Sequence, residues 1–220
     1  MTPRVVIVVP VLGRPHRVLP TMRSVAAATP EPHRLLFAAN RNDRAEVRAL
    51  AAASANFILV AGAGTYAEKI NAAYGATDEP LLFLAADDLE FHRGWLTAAA
   101  DQLGAGVEVV GTNDLGNPRV LNGTHSTHSL VTRTYCDDPG ATADTPGTVL
   151  HAGYRHLFCD DELVGVAQSR GVYAHAHGAV VEHLHPYFGK APDDSTYSKG
   201  HRRAREDRAT YDRRVHLWQT

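Results

Sequence analysis

The sequence predicts an α/β protein in which a mainly parallel sheet is flanked by helices within a single domain. Two observations predict this class. Short apolar runs and alanine-rich segments with helical spacing alternate four times within residues 4–86, which is the rhythm of βαβ units. The apolar runs are rich in Val, Ile and Leu and lack alternation with polar residues, as expected for strands that are buried on both faces.

The elements of the first part follow from the positions of these runs and of the turn residues between them. The run RVVIVVP stops at a proline, and the three later runs end at polar or glycine-rich turns. Between the runs, apolar residues recur with the spacing of one helix face. We therefore predict strand 4–10, helix 17–28, strand 34–40, helix 43–54, strand 56–61, helix 65–76 and strand 80–86.

The second part has a less regular pattern. A helix over GWLTAAADQLGAG and a strand over 107–113 continue the alternation, whereas 114–148 reads as loop with short strands. A helix is predicted over 154–171, where Gly171 is a suitable C-cap. The last strand is predicted over 178–186, and the arginine-rich tail reads as a polar helix.

Composition and charge exclude several classes of function. The 220 residues are 44% hydrophobic, and 22 basic residues nearly balance 24 acidic ones, so nothing points to a general affinity for nucleic acid. The basic tail also contains Glu206, Asp207 and Asp212, which favours a solvated helix over a nucleic-acid site. No apolar run approaches about 18 residues, so we expect no membrane span. Cys136 and Cys159 form no CxxC motif, and we expect reduced thiols and a cytoplasmic location.

Adjacent carboxylates end the fourth predicted strand, in the stretch FLAADDLEF. Parallel α/β sheets bind ligands at the carboxyl ends of their strands, where Asp87 and Asp88 would lie. Two such charges repel each other and are costly near a core unless they are paired or bind a metal. A hard cation such as Mg²⁺ or Mn²⁺ would offset their repulsion. The alternative is that the pair caps the following turn and faces water.

Two further clusters lie in the second half of the chain. Asp160, Asp161 and Glu162 open the amphipathic part of the helix predicted over 154–171; acids are favoured electrostatically near a helix N-terminus, and the alternative is that one of them acts as a general base. Seven of the 13 histidines lie between positions 151 and 201. If the segment 179–185 is extended, His183 and His185 point to the same face. This pair fits a metal or phosphate site, and it fits a surface pair as well.

These pieces, in this order, resemble the GT-A glycosyltransferases of the family-2 type over residues 4–185. The matching stretches are VVIVVPVLGRP, EKINAAYGATDEPLLFLAADD, FCDDELVGVAQSRG and VVEHLHP. In that family a strand-end acidic motif holds a divalent ion against the diphosphate of the donor. The resemblance places this motif at Asp87 and Asp88, with Asp88 as the direct ligand. The chain departs from the family where many members have an earlier aspartate, since it has Ala85 or Ala86 there.

The resemblance also implies an activity, a cofactor and further site residues. It implies transfer of a sugar, with inversion, from a UDP- or GDP-sugar to a glycan, protein or small-molecule acceptor, with Mn²⁺ or Mg²⁺ as cofactor. Asp161 would be the catalytic base, and His183, with His185 as its rival, would complete the metal site. Residues 1–113 would form the nucleotide-binding half and 114–220 the acceptor-binding half. The residues implied to contact the nucleotide or its phosphates are Pro10, Val11, Arg14, Asn40, Lys69, Asn71, Asp87 and Lys190.

Two alternative functions stay open at the level of sequence. The first is a metal-dependent hydrolase that uses the C-terminal histidine cluster, with ligands among His175, His177, His183 and His185. It accounts for the histidines but not for the strand-end acidic pair. The second is a sugar-nucleotide-binding module without catalysis. The absent earlier aspartate favours that module, and the presence of Asp161 argues against it.

Overall fold

The computed structural model describes residues 4–219, apart from the side chains of 199–203, and within this range eight strands form one sheet with helices on both sides. The strands are β1 (Val5–Val11), β2 (His33–Asn40), β3 (Phe57–Val60), β4 (Leu81–Leu84), β5 (Leu89–Phe91), β6 (Val109–Asn113), β7 (Ser129–Thr132) and β8 (Tyr173–His183). The α-helices are α1 (Val18–Ala28), α2 (Arg44–Ala52), α3 (Tyr66–Gly75), α4 (Trp95–Ala100), α5 (Pro118–Leu121), α6 (Arg133–Asp137), α7 (Cys159–Ser169) and α8 (Ser195–Arg214).

The order of strands in the sheet is β3-β2-β1-β4-β7-β6-β8-β5. The first four strands in this order are parallel, and β6 is parallel to β8. Strand β7 runs antiparallel between β4 and β6, and β5 runs antiparallel to β8. The predicted α/β class with a mainly parallel sheet is confirmed. The carboxyl ends of β1, β2 and β4 lie at one edge of the sheet, as the site prediction requires.

The core explains why the predicted strands read as continuous apolar runs. Alternate residues of β1 enter different clusters: Ile7 and Val9 pack with α1 and α4 on one face, and Val6 and Val8 pack with α3 and α7 on the other. All four side chains are fully buried. Burying each such side chain stabilises the fold by roughly 1.5–3 kcal/mol, so a polar residue on either face would be costly.

Differences from the sequence prediction lie mostly in short elements. The three-residue strand β5 directly after Asp88 was not predicted, because it is shorter than any periodic pattern can show. The segment 114–148, predicted as loop with short strands, contains α5, β7 and α6. The last strand begins at Tyr173, five residues before the predicted start, and its register shifts between Thr112 and Asn113 of the neighbouring β6.

Helix α8 is tied to the body of the protein by two buried charged residues. Asp207 is fully buried and accepts hydrogen bonds from the backbone N–H groups of residues 155–157 at 2.7, 3.0 and 2.9 Å. Arg214 donates to Glu162 of α7 at 2.7 and 2.8 Å. The polar tail is therefore helical as predicted, but part of it packs against the segment that leads into α7.

Two expectations about environment concern the described part of the chain. None of its helices is both long enough and apolar enough to cross a bilayer. Cys136 and Cys159 are both buried and are not joined in a disulfide. Burial raises the pKa of the Cys136 thiol to about 12, so this thiol stays protonated and unreactive at neutral pH.

Candidate functional site

A pocket opens at the carboxyl ends of β1 and β4, under the first turn of α8. Its walls come from distant parts of the sequence, including the loop after β1, the start of α3, the acidic pair and the end of β8. It brings together seven of the residues that the sequence predicted for the site, namely Pro10, Val11, Arg14, Lys69, Asp87, Asp88 and His183. The predicted base, Asp161, lies in an adjoining pocket that shares His183 and His185 with the first.

The acidic pair does not face water. Asp87 and Asp88 are 6% and 4% exposed, and both accept hydrogen bonds from Nη1 of Arg14, at 2.9 and 3.2 Å. A buried guanidinium thus offsets the repulsion between the two carboxylates. Burial and the neighbouring Asp88 raise the pKa of Asp87.

One oxygen of Asp88 accepts hydrogen bonds, and the other accepts none within the described residues. Its Oδ2 accepts a hydrogen bond from the Tyr197 hydroxyl at 2.8 Å, in addition to the one from Arg14. Its Oδ1 is buried without a hydrogen-bond partner in the described residues and lies 3.5 Å from Nε2 of His183. Burial alone would raise the pKa of Asp88, but His183, Tyr197 and Arg14 together hold it well below the usual range. Asp88 is therefore a carboxylate whose Oδ1 accepts no hydrogen bond within the described residues but lies at ion-pair distance from the His183 imidazole.

Arg14 is held by residues from both ends of the chain. Gly13 has φ of +66°, a conformation that favours glycine, and the turn there brings the Arg14 backbone N–H to 2.8 Å from Oε2 of Glu46. The guanidinium also donates to Asp194 from Nε at 2.8 Å and lies 3.9 Å from the centre of the Tyr197 ring. Arg14 therefore joins the acidic pair to the start of α8.

Lys69 provides a second buried cation in the pocket. Helix α3 begins with a capping box between Thr65 and Glu68, and Lys69 follows in its first turn. Its Nζ donates to the carbonyl oxygen of Val11 at 2.7 Å. Burial lowers the pKa of Lys69 to about 8, although nearby acids including Asp43 oppose the shift. The ammonium therefore stays mostly charged at neutral pH.

His128 and Tyr197 are among the pocket residues that sequence reasoning missed. His128 precedes β7 and is 5% exposed, with Nδ1 3.0 Å from the carbonyl oxygen of Leu84. Its ring centre lies 5.2 Å from that of His183, and burial together with His183 lowers the pKa of His128 to about 4. Pairing of β7 beside β4, which brings His128 here, left no signal in the irregular segment 114–148.

The adjoining pocket contains the acids that begin α7. Oδ1 of Asp161 accepts a hydrogen bond from Arg119 at 2.7 Å, and Nε2 of His125 lies 3.2 Å from Oδ2 of Asp160. Burial and Asp160 raise the pKa of Asp161, while His125 and Arg119 oppose the shift. The residue at the N-cap is Phe158, so Asp161 lies in the first turn and is not the capping residue.

Three side chains that the sequence predicted to contact the nucleotide or its phosphates do not line the first pocket, namely those of Asn71, Lys190 and Asn40. The Asn71 side chain accepts from the backbone N–H of Leu150 at 3.0 Å and donates to its carbonyl oxygen at 2.7 Å. Lys190 binds Glu182 at 2.7 Å, and Oδ1 of Asn40 accepts from the backbone of Asn42 at 2.9 Å. Asn71 follows Lys69 by two helical positions, which turns it about 200° away from the pocket. The structure does not place these three side chains against a nucleotide in this pocket.

The histidines do not gather into one cluster. His175 and His177 make an edge-to-face contact with ring centres 4.6 Å apart, whereas His183 and His185 line the pocket at the other end of β8. Within residues 4–219, apart from the side chains of 199–203, the three-residue set found with candidate ligand atoms all within 4.8 Å is His125, Asp160 and Asp161. This geometry does not favour a hydrolase built on four histidines.

Comparisons with known proteins find similarity at the level of structure. No family model matches the sequence, and no curated protein matches it. A mannosyltransferase from Pyrobaculum calidifontis, solved with GDP-Man and Mn²⁺, superposes with a TM-score of 0.65 at 15% identity and matches 94% of this chain. Glucosyl-3-phosphoglycerate synthase from Mycobacterium tuberculosis, solved with Mn²⁺, UDP and its product, gives a TM-score of 0.63 at 12% identity over 90% of this chain.

The chain spans 62% of the length of the mannosyltransferase and 75% of that of the synthase. Both are glycosyltransferases with the GT-A fold. At these identities the similarity shows the fold, and the activity has to be argued from the site. The chain has the GT-A fold.

Proposed function

We propose that this chain is a metal-dependent glycosyltransferase that moves a sugar from a nucleoside-diphosphate sugar to an acceptor hydroxyl. The observation that carries the proposal is the buried Oδ1 of Asp88, which follows β4, accepts no hydrogen bond within the described residues and lies 3.5 Å from Nε2 of His183 at the end of β8. Two ligands of one Mg²⁺ can be up to about 4.2 Å apart, because each lies about 2.1 Å from the ion. The oxygen and nitrogen thus fit one Mg²⁺ or Mn²⁺.

The other residues of the pocket suit the donor. When bound, the divalent ion would offset negative charge on the diphosphate and stabilise it as a leaving group. Arg14 and Lys69 add fixed positive charge to the same pocket, while Pro10 and Val11 form the wall that a nucleotide would contact. The proposal is supported by the mannosyltransferase and the synthase, whose structures contain Mn²⁺ with GDP-Man or UDP. We therefore propose a UDP- or GDP-sugar as donor.

Asp161 is the proposed catalytic base. It lies in the adjoining pocket, where an acceptor hydroxyl could reach both the carboxylate and the donor through the part lined by His183 and His185. Deprotonation there would direct attack on the anomeric carbon and invert its configuration. Oδ1 of Asp161 accepts a hydrogen bond from Arg119, and the lone pairs that remain on the two carboxylate oxygens could take the proton.

The two halves of the chain have different proposed tasks. The lining of the adjoining pocket comes from residues 117–188, which supports a donor-binding first half and an acceptor-binding second half. The acceptor is a glycan, a protein or a small molecule. In a related structure the synthase holds UDP-glucose with phosphoglyceric acid. We propose that the reaction takes place in the cytoplasm, which agrees with two buried cysteines without a disulfide.

A thermal-shift panel with UDP-, GDP- and dTDP-sugars, with and without Mn²⁺, tests the proposal. A ligand that binds the folded state raises its melting temperature. We expect a UDP- or GDP-sugar to raise it only when Mn²⁺ is present, and nucleoside diphosphate to be released on addition of an acceptor. If no nucleotide raises the melting temperature, the proposal is wrong. Metal-dependent binding without turnover would favour a binding module, and cleavage of a model ester without sugar nucleotide would favour a hydrolase.

A further inference from the structure

His128 has a buried ring nitrogen that has no hydrogen-bond partner among the residues that the structure describes. Its Nδ1 lies 3.0 Å from the carbonyl oxygen of Leu84, and a carbonyl can only accept. Nδ1 therefore has the proton, and Nε2 has the lone pair. In the described residues this Nε2 is buried and has no hydrogen-bond partner. Histidines that ligate a metal through one ring nitrogen commonly donate the N–H of the other to a backbone carbonyl in this way.

The register of the sheet places His128 beside Ala85, two residues before Asp87. Strand β7 pairs antiparallel with β4, so that Leu81 lies opposite Thr132 and Phe83 opposite Leu130. Continued by two residues, this register puts His128 opposite Ala85, just before the acidic pair. A polar group thus reaches this point from the neighbouring strand.

The spacing decides how His128 could serve a cation. His128 lines the same pocket as Asp88 and His183, and its ring centre is 5.2 Å from that of His183. However, these three residues do not form a set with ligand atoms all within 4.8 Å. At least two of their ligand atoms are therefore more than 4.8 Å apart, whereas opposite ligands of one Mg²⁺ are about 4.2 Å apart. The three side chains cannot all bind one ion directly, but a water molecule bound to the ion could bridge the remaining distance to His128.

We propose that Nε2 of His128 accepts a hydrogen bond from a water ligand of the cation held by Asp88 and His183. This inference rests on the proposed function. Mg²⁺ usually keeps several of its waters, and outer partners of this kind fix the position of the ion. His128 is then a positioning residue that raises metal affinity without touching the metal.

Titration with Mn²⁺ alone, followed by the electron paramagnetic resonance of the free ion, tests the proposal in the full-length protein. His128→Asn retains a donor near the position of Nδ1 but lacks the acceptor at the reach of Nε2, whereas His128→Gln extends an amide oxygen to that reach. We expect His128→Asn to weaken Mn²⁺ binding by roughly 10–100-fold. His128→Gln should recover most of the affinity. Melting temperatures without metal verify that each variant is folded.

Two further variants separate the possible failures. Asp88→Asn should abolish the Mn²⁺ binding. The control His125→Asn changes a buried histidine that lies next to Asp160, and it should leave the Mn²⁺ binding unchanged. Two results would overturn the role of His128 and leave the proposed function standing, provided that Asp88→Asn abolishes Mn²⁺ binding. One is unchanged Mn²⁺ binding in His128→Asn, and the other is an equal loss of binding in His128→Asn and His128→Gln. Loss in His125→Asn with no effect of Asp88→Asn would move the ion to the set around Asp160 and overturn both.

Discussion

The hydroxyl of Tyr197 donates a hydrogen bond to Oδ2 of Asp88 at 2.8 Å, across 109 positions of the sequence. The same tyrosine ring lies under the guanidinium of Arg14, which also donates to Asp88. These two donors engage one oxygen of the carboxylate and leave the other facing His183. The first turn of α8 is therefore part of the structure that orients Asp88.

Tyr197→Phe removes this hydrogen bond while keeping the ring beside Arg14. Because the bond is buried and its acceptor is charged, we expect the free energy of unfolding to fall by about 1.5–3 kcal/mol. Urea denaturation without metal measures the change. A matched control is Tyr187→Phe, since the Tyr187 side chain is largely exposed and should be neutral. A loss below about 0.5 kcal/mol in Tyr197→Phe would show that the hydroxyl does not stabilise the carboxylate.

Asp161→Asn tests the proposed base. Asparagine has nearly the same shape but cannot take a proton, so we expect turnover with an identified acceptor to fall by roughly 10²–10⁴-fold. Donor affinity and melting temperature should stay near those of the wild type, because the base acts on the acceptor. Glu162→Gln is not a suitable control, since Glu162 is buried in an ion pair with Arg214. Near-normal turnover in Asp161→Asn would reject the assignment and direct attention to Asp160.

Arg119→Gln should change the pH dependence of that turnover. A base works only when deprotonated, so activity is lost as pH falls through its pKa. Burial and Asp160 already raise the pKa of Asp161, and Arg119 opposes this shift. Removing the arginine should therefore move the acidic limb of the kcat profile to higher pH. The arginine is 56% exposed, so solvent screens its charge and we expect the shift to be modest. A limb that stays in place, or moves to lower pH, would contradict this coupling.

Asn71→Ala separates a structural role from a nucleotide contact. The Asn71 amide binds the backbone at Val149 and Leu150, so its removal leaves buried polar groups without partners. We expect the free energy of unfolding to fall by roughly 1–3 kcal/mol. Metal-dependent nucleotide affinity, measured by calorimetry below the melting temperature, should stay within a factor of about two. A large loss of affinity in a variant of unchanged stability would restore the contact that the sequence predicted.

The sequence predicted the elements that have strong local patterns. Strands β1 to β4 are apolar on both faces, and this makes them visible without any knowledge of their partners. Its position after a strand end placed Asp88 at the site, whereas Lys69 was implied only by the family resemblance. The resemblance could not show that Asn71 points away from the pocket, because it does not say which face of α3 each residue occupies.

The contacts that complete the site are distant in sequence. Arg14 binds Asp194 across 180 positions, and His128 reaches Leu84 through the pairing of β7 with β4. Neither depends on a periodic pattern, so no reading of local sequence could predict them. Lys190, predicted to contact a phosphate, forms an ion pair with Glu182 of the last strand, and no pattern of local sequence shows this pairing.

The central claim is that Asp88 holds the cation against the donor diphosphate, and calorimetric titration of UDP and GDP in the presence and absence of Mn²⁺ tests it most directly. In the wild type we expect one of the two nucleotides to bind with Mn²⁺ and to bind weakly without it. In Asp88→Asn the metal dependence should disappear while the protein stays folded, whereas Asp161→Asn, as matched control, should keep it. Metal-dependent binding that is unchanged in Asp88→Asn would contradict the claim.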